Sequence, residues 1–131
     1  MAKRFLIDTD VLIEYLRGSE PAVRFLEALS GPLHISAITV AELFTGAQRE
    51  AEQEALEQFL RTFEVVPVDA EVAKRGGILR RDYGPSHGVG LADALVAAGA
   101  EKAQATLVTF NRRHFPMLED LLVPYPPTWA R

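Results

Sequence analysis

The sequence predicts a single α/β domain with a mainly parallel central sheet flanked by helices. Three observations carry that prediction. Short apolar runs alternate along the chain with stretches of helical period, and no composition shift or repeat divides them. Strand–helix alternation requires crossovers, and crossovers make neighbouring strands parallel. The length, 131 residues, suits one domain with one core, so the domain is expected to span residues 1–131.

The first strand is predicted at Phe5-Leu6-Ile7, followed by a helix starting near Val11 and capped by Thr9 or Asp10. Residues 18–21 and 30–32 have turn composition. Between them, Ala22, Phe25, Leu26 and Leu29 make a helical stripe. A second strand is predicted over 33–38, then a helix with Val40, Leu43, Phe44 and Ala47 on one face. Thr39 and Glu42 have capping-box spacing there. Leu56, Phe59, Leu60 and Phe63 mark the next helix, and residues 65–68 the third strand. Val72, Gly76, Leu79 and Tyr83 form a looser stripe, and residues 84–88, Gly-Pro-Ser-His-Gly, read as a loop. Residues 91–98 form an apolar helix, and a fourth strand is expected around Leu107 and Val108. The tail Pro124-Tyr125-Pro126-Pro127 cannot be helical and reads as an edge or surface strap.

Composition narrows the function. With 18 acidic and 14 basic residues the net charge is −4, which excludes gripping nucleic acid by bulk charge. The charge is uneven: residues 1–73 carry 13 acids and 6 bases, net −7, while residues 74–131 carry 5 and 8, net +3. There is no cysteine, which removes thiol catalysis and thiolate metal sites and accords with a cytoplasmic location. No run approaches the ~20 apolar residues that span a bilayer, and no signal peptide is expected, so no membrane partner is expected either.

In open parallel sheets, ligands bind beyond the carboxyl ends of the strands. Asp8 stands directly after the first apolar run, with no helix-capping duty assigned to it. Glu42 lies opposite its helix's apolar stripe, where solvation or a capping box explains it equally. Asp93 is the only charge between residues 88 and 100, on a helix apolar nearly all round. A buried carboxylate needs a partner, and a helix N-terminus or a metal ion would serve. Asn111, Arg112, Arg113 and His114 follow the fourth strand. They read as turn and solvated residues or as holders of a polyanion's phosphates. Convergent carboxylates repel unless a cation lies among them, and oxygen donors select a hard ion, Mg²⁺ or Mn²⁺. Such ions serve chiefly phosphate chemistry.

Four segments in order carry a family resemblance: Phe5-Leu6-Ile7-Asp8-Thr9-Asp10-Val11-Leu12, Ile35-Ser36-Ala37-Ile38-Thr39-Val40-Ala41-Glu42-Leu43, Leu91-Ala92-Asp93-Ala94-Leu95-Val96-Ala97-Ala98 and Leu107-Val108-Thr109-Phe110-Asn111-Arg112-Arg113-His114-Phe115. The chain resembles PIN-domain ribonucleases of the VapC type, the toxin half of toxin–antitoxin pairs. The resemblance implies a PIN-like fold and Mg²⁺- or Mn²⁺-dependent hydrolysis of RNA phosphodiesters. It implies Asp8, Glu42 and Asp93 as the acidic cluster, with Asp8 and Asp93 the main metal ligands, and Asn111 as a polar site residue. Thr9, Arg112, Arg113 and His114 would contact RNA. Many members carry an acid where this chain has His114. A VapB-like antitoxin and a homodimer are further implications. Residues Val11, Leu12, Tyr15, Leu16, Phe25, Leu26 and Leu29 are candidates for the antitoxin's groove, besides serving the core.

Two other readings compete. Asp8-Thr9-Asp10 resembles the opening motif of haloacid-dehalogenase-like phosphatases, which want a well-placed later lysine, and here only Lys102 offers. A non-catalytic binding module that keeps the fold is the other. It gives no physical reason to keep three acids together.

Overall fold

The computed structural model describes residues 3–126. Its sheet has five strands: β1 (Phe5–Ile7), β2 (Leu33–Ser36), β3 (Glu64–Val66), β4 (Thr106–Val108) and β5 (Leu121–Leu122). All pair in parallel, in the order β3-β2-β1-β4-β5. Six helices connect them: α1 (Thr9–Leu16), α2 (Glu20–Ala28), α3 (Ala37–Thr45), α4 (Glu50–Leu60), α5 (Ala70–His87) and α6 (Leu91–Ala103). The α/β class and the parallel sheet are as expected.

Side chains alternate across the sheet, and each face has its own core. Phe5, Ile7, Ile35 and Val108 pack with Val11, Leu12, Leu26, Leu43, Leu56 and Leu60 from α1–α4. Leu6, Val66 and Leu107 face α5 and α6, against Val72, Leu79, Val96 and Ala97. The strands are therefore apolar on both sides, as buried parallel strands must be. α5 and α6 form an antiparallel pair packed so closely that a Cβ on Gly76 would lie 2.5 Å from Leu95 Cδ2 and 3.2 Å from its Cα.

Several boundaries depart from the sequence expectation. β2 ends at Ser36, because the Ser36 hydroxyl accepts from the Ile38 N–H and starts α3 early. Thr39 is thus inside the helix and fully buried, and no capping box forms with Glu42. β3 covers 64–66 rather than 65–68, and Asp69 caps α5 through the Val72 N–H. Neither Thr9 nor Asp10 caps α1. The cap is Asp8, whose carboxylate accepts from the Thr9 N–H at 2.9 Å. Residues 84–87 are helical, with Pro85 inside α5. The helix stops only at Gly88, whose φ of +66° suits glycine and whose N–H reaches the Gly84 carbonyl at 2.8 Å. Tyr83 keeps that last stretch against the core. β5 was not expected at all; its two residues are too few for a periodic signal. Of the proline-rich tail, 124–126 are non-helical as expected, and Pro127 lies outside the described residues.

The chain runs outward from β1 to β2 and β3, then crosses back to β4 on the other side of β1. The carboxyl ends of β1 and β4 therefore flank the switch point, where an open parallel sheet forms its crevice.

Candidate active site

Asp8 immediately follows β1 and Thr109 immediately follows β4. The register Ile7↔Val108 sets them side by side, and the Asp8 N–H donates to the Val108 carbonyl at 2.9 Å. Asp8 keeps extended backbone, φ −74° and ψ 156°, so its side chain continues the alternation toward the face that α6 covers. It is 7% exposed. The buried Thr109 hydroxyl donates to Asp8 Oδ2 at 2.8 Å, while Asp8 Oδ1 accepts from Thr9 N–H. Two donors do not offset desolvation: burial, reinforced by the neighbouring Asp10 charge, pushes the Asp8 carboxyl up to about 7.

α3 contributes Glu42. The Thr9 hydroxyl lies 2.6 Å from Glu42 Oε1 and 2.9 Å from Thr39 Oγ1. Thr9 has one proton, which the short carboxylate contact claims, so the Thr39 proton completes the hydroxyl pair. Thr9 is thus a strut between α1 and α3. α6 brings Asp93 in its first turn, half-buried, with Oδ2 3.2 Å from His114 Nδ1. Burial raises the Asp93 carboxyl, the adjacent His114 pulls it back, and Glu42 pushes it up again. His114, Arg112 and Arg113 are exposed residues of a 3-10 turn (Arg112–His114) beyond β4, at the same edge.

Asp10 and Thr109 are the residues the sequence reading missed. Asp10 Oδ2 accepts from the Phe110 N–H at 3.0 Å and Asn111 Nδ2 at 2.9 Å, and lies 3.4 Å from the Thr109 hydroxyl. Its Oδ1 is buried with no hydrogen-bond partner. Burial raises the Asp10 carboxyl, against the lowering effect of the Phe110 N–H. Thr109 was findable, since it stands directly after a strand as Asp8 does. Asp10 was hidden by the expectation that it caps a helix.

The structure thus gathers Asp8, Asp10, Asp93, Glu42, Thr9, Asn111 and His114 at one edge. Among the described residues, no three acids or histidines form a ready-made metal-holding group as they stand. Each carboxylate has a hydrogen-bond partner of its own: Thr9 for Glu42, His114 for Asp93, and Thr109 for Asp8. The donor set still suits a hard cation, being carboxylate oxygens with an amide and one imidazole. The raised carboxyls mark a place short of positive charge.

Other charged and apolar groups lie elsewhere. Arg75 is engaged by Glu101 through two bonds of 2.9 and 3.2 Å. Lys102 pairs with Asp69 and Glu71, away from Asp8, which removes the lysine a dehalogenase-like site would need. Val11, Leu12 and Leu26 are core residues, whereas Ile13 and Leu16 are 36% and 47% exposed. Those two line a cleft of about 520 Å³ with Leu43, Ala47, Ala55 and Leu56. Among the described residues, no helix is long and apolar enough to cross a membrane.

Comparison with known proteins identifies the family. The model of the PIN domain family matches residues 5–119. Ribonuclease VapC10 of Mycobacterium tuberculosis is 42% identical over 92% of this chain and 92% of its own length. Ribonuclease VapC19 of the same organism is also 42% identical, over 92% and 98%. A toxin–antitoxin complex from Klebsiella pneumoniae contains a chain that superposes with a TM-score of 0.82 at 29% identity, covering 93% of this chain and 98% of that one.

Proposed function

The chain belongs to the PIN-domain family, and from that membership we propose that it is a metal-dependent endoribonuclease, the toxin of a toxin–antitoxin pair. The observation that supports the reading is that the Asp93 charge on α6 raises the carboxyl of Asp8, just after β1, and the Glu42 charge on α3 raises that of Asp93, so the three carboxylates act on one another at the sheet's switch point. Asp8 and Asp93 would hold a Mg²⁺ or Mn²⁺ ion, and Glu42 would either join them or orient the attacking water. When bound, the ion neutralises charge on the scissile phosphate and makes water nucleophilic at neutral pH. Burial raises the carboxyls of both Asp8 and Asp93, so a cation held between them would favour their ionised forms. Asn111 offers a polar contact beside them. Thr9, Arg112, Arg113 and His114 line the approach, where the two guanidinium groups meet phosphates.

The partners follow the same reading. RNA is the substrate, and unpaired loops are the form whose backbone reaches such an edge. The cleft at Ile13 and Leu16 suits the apolar side chains of an antitoxin segment, and a homodimer is expected in the cytoplasm. The test is cleavage of single-stranded or loop RNA with Mg²⁺ or Mn²⁺, against EDTA. Asp8→Asn and Asp93→Asn are expected to abolish cleavage while remaining folded. Variants that cut as fast as wild type would overturn the assignment.

A further inference from the structure

We propose that Asp10 is a positioning residue that sets the orientation of the Asn111 side-chain amide. The inference rests on the ribonuclease reading above. Asp10 sits in the first turn of α1, yet the cap of that helix is Asp8, and the Asp10 carboxylate reaches across the switch point to residues 109–111. Its Oδ2 takes both the Phe110 backbone N–H and the Asn111 side-chain Nδ2. Oδ2 already accepts from the Phe110 N–H, and the amide turns its NH₂ to the same acceptor oxygen. The opposite end of the planar amide, its oxygen, is then the one offered to a ligand. An amide oxygen accepts a hydrogen bond or meets a hard cation, and an amide nitrogen does neither.

The backbone is tied in the same way. The Asn111 N–H donates to Thr109 Oγ1 at 3.1 Å, and Thr109 in turn bonds Asp8. Two carboxylates two residues apart thus hold one loop: Asp8 through a hydroxyl, Asp10 through an amide and a backbone N–H. A buried, unpartnered Oδ1 is a cost that a merely solvated aspartate would not carry. It is tolerated because Oδ2 meets three groups of the segment after β4.

The experiment compares Asp10→Ala, Asp10→Asn, Asn111→Ala and the double Asp10→Ala/Asn111→Ala. It measures kcat and KM on RNA at saturating Mg²⁺, Mn²⁺ affinity by calorimetry, and hydrogen exchange of the Phe110 amide. Asp10→Ala is expected to lower kcat roughly 10- to 100-fold, the scale of a misplaced site group, with KM and Mn²⁺ affinity within about threefold of wild type. Phe110 exchange should speed up in the same variant. Asp10→Asn keeps a carbonyl acceptor and is expected to keep kcat within about threefold. The double variant should be no slower than the worse single, because Asp10 acts through Asn111.

Losses that multiply in the double variant would overturn the proposal. So would a folded Asp10→Asn that loses 100-fold in kcat or binds Mn²⁺ as poorly as Asp8→Asn, since the charge itself would then be the working part. That variant decides the matter even where Asp10→Ala does not fold. A wild-type chain without metal-dependent cleavage overturns the ribonuclease reading and this proposal with it. An active wild type indifferent to Asp10→Ala overturns the proposal alone.

Discussion

Asp8 is held at the expense of stability. Its folded carboxyl titrates at about 7, above the ordinary 3.8 of an unfolded chain. Between those values the unfolded chain releases the proton and the folded one keeps it. Stability therefore falls as pH rises from 4 to 7 and levels off above. The size is on the order of 2–4 kcal/mol if no cation is present. Urea denaturation in EDTA across that pH range should show the decline. Asp8→Asn should flatten it and unfold at higher urea than wild type at pH 7.5, while losing cleavage. Asparagine fits the same contacts, because its oxygen accepts from Thr9 N–H and its amide donates to a reversed Thr109 hydroxyl. At this scale Asp8, Glu42 and Asp93 were legible because each is a charge at the end or on the flank of an apolar run. Asp10 was not, because its partners lie about a hundred residues away and local spacing carries no trace of them.

Between elements, the tightest joint is that of α5 with α6. Gly76 lets the backbone of α5 approach Leu95, two residues beyond Asp93. Gly76→Ala is expected to cost about 1–3 kcal/mol by overpacking against Leu95, and to lower kcat by shifting the turn that carries Asp93. Neighbouring Gly77 has open space where its Cβ would stand. Gly77→Ala should instead stabilise the helix by up to about 1 kcal/mol, with activity unchanged. Paired denaturation curves distinguish the two. Strands and helical stripes were readable because the packing they report is periodic. The loop expected at 84–88 failed because its composition suits a turn, whereas Tyr83 packing and the Gly88 stop decide where α5 ends. β2 was overextended for the reverse reason: Ala37 and Ile38 are apolar, but the Ser36 cap turns them into helix.

For the whole molecule, net −4 leaves attraction for RNA to a few local charges. Arg75 is paired with Glu101 and Arg81 with Asp82, and the proposed phosphate contact falls to Arg112 and Arg113. Arg112→Ala/Arg113→Ala should raise KM and leave kcat nearly unchanged. The slope of log binding against log salt should shrink by roughly 1.4, two contacts' worth on a single strand. A slope unchanged by the double substitution would place the phosphates elsewhere. Light scattering at micromolar concentration tests the homodimer, and a monomer there counts against it.

The bond between Asp8 and Thr109 spans 101 positions of sequence. A chain growing from its amino end has Asp8 and Glu42 long before Thr109 and Asn111 exist, and synthesis at ~5–20 residues per second makes the interval seconds long. The crevice closes only when β4 slots in beside β1. A half-made copy therefore has no working edge, and the cell that builds this protein meets its chemistry only after the chain is nearly finished.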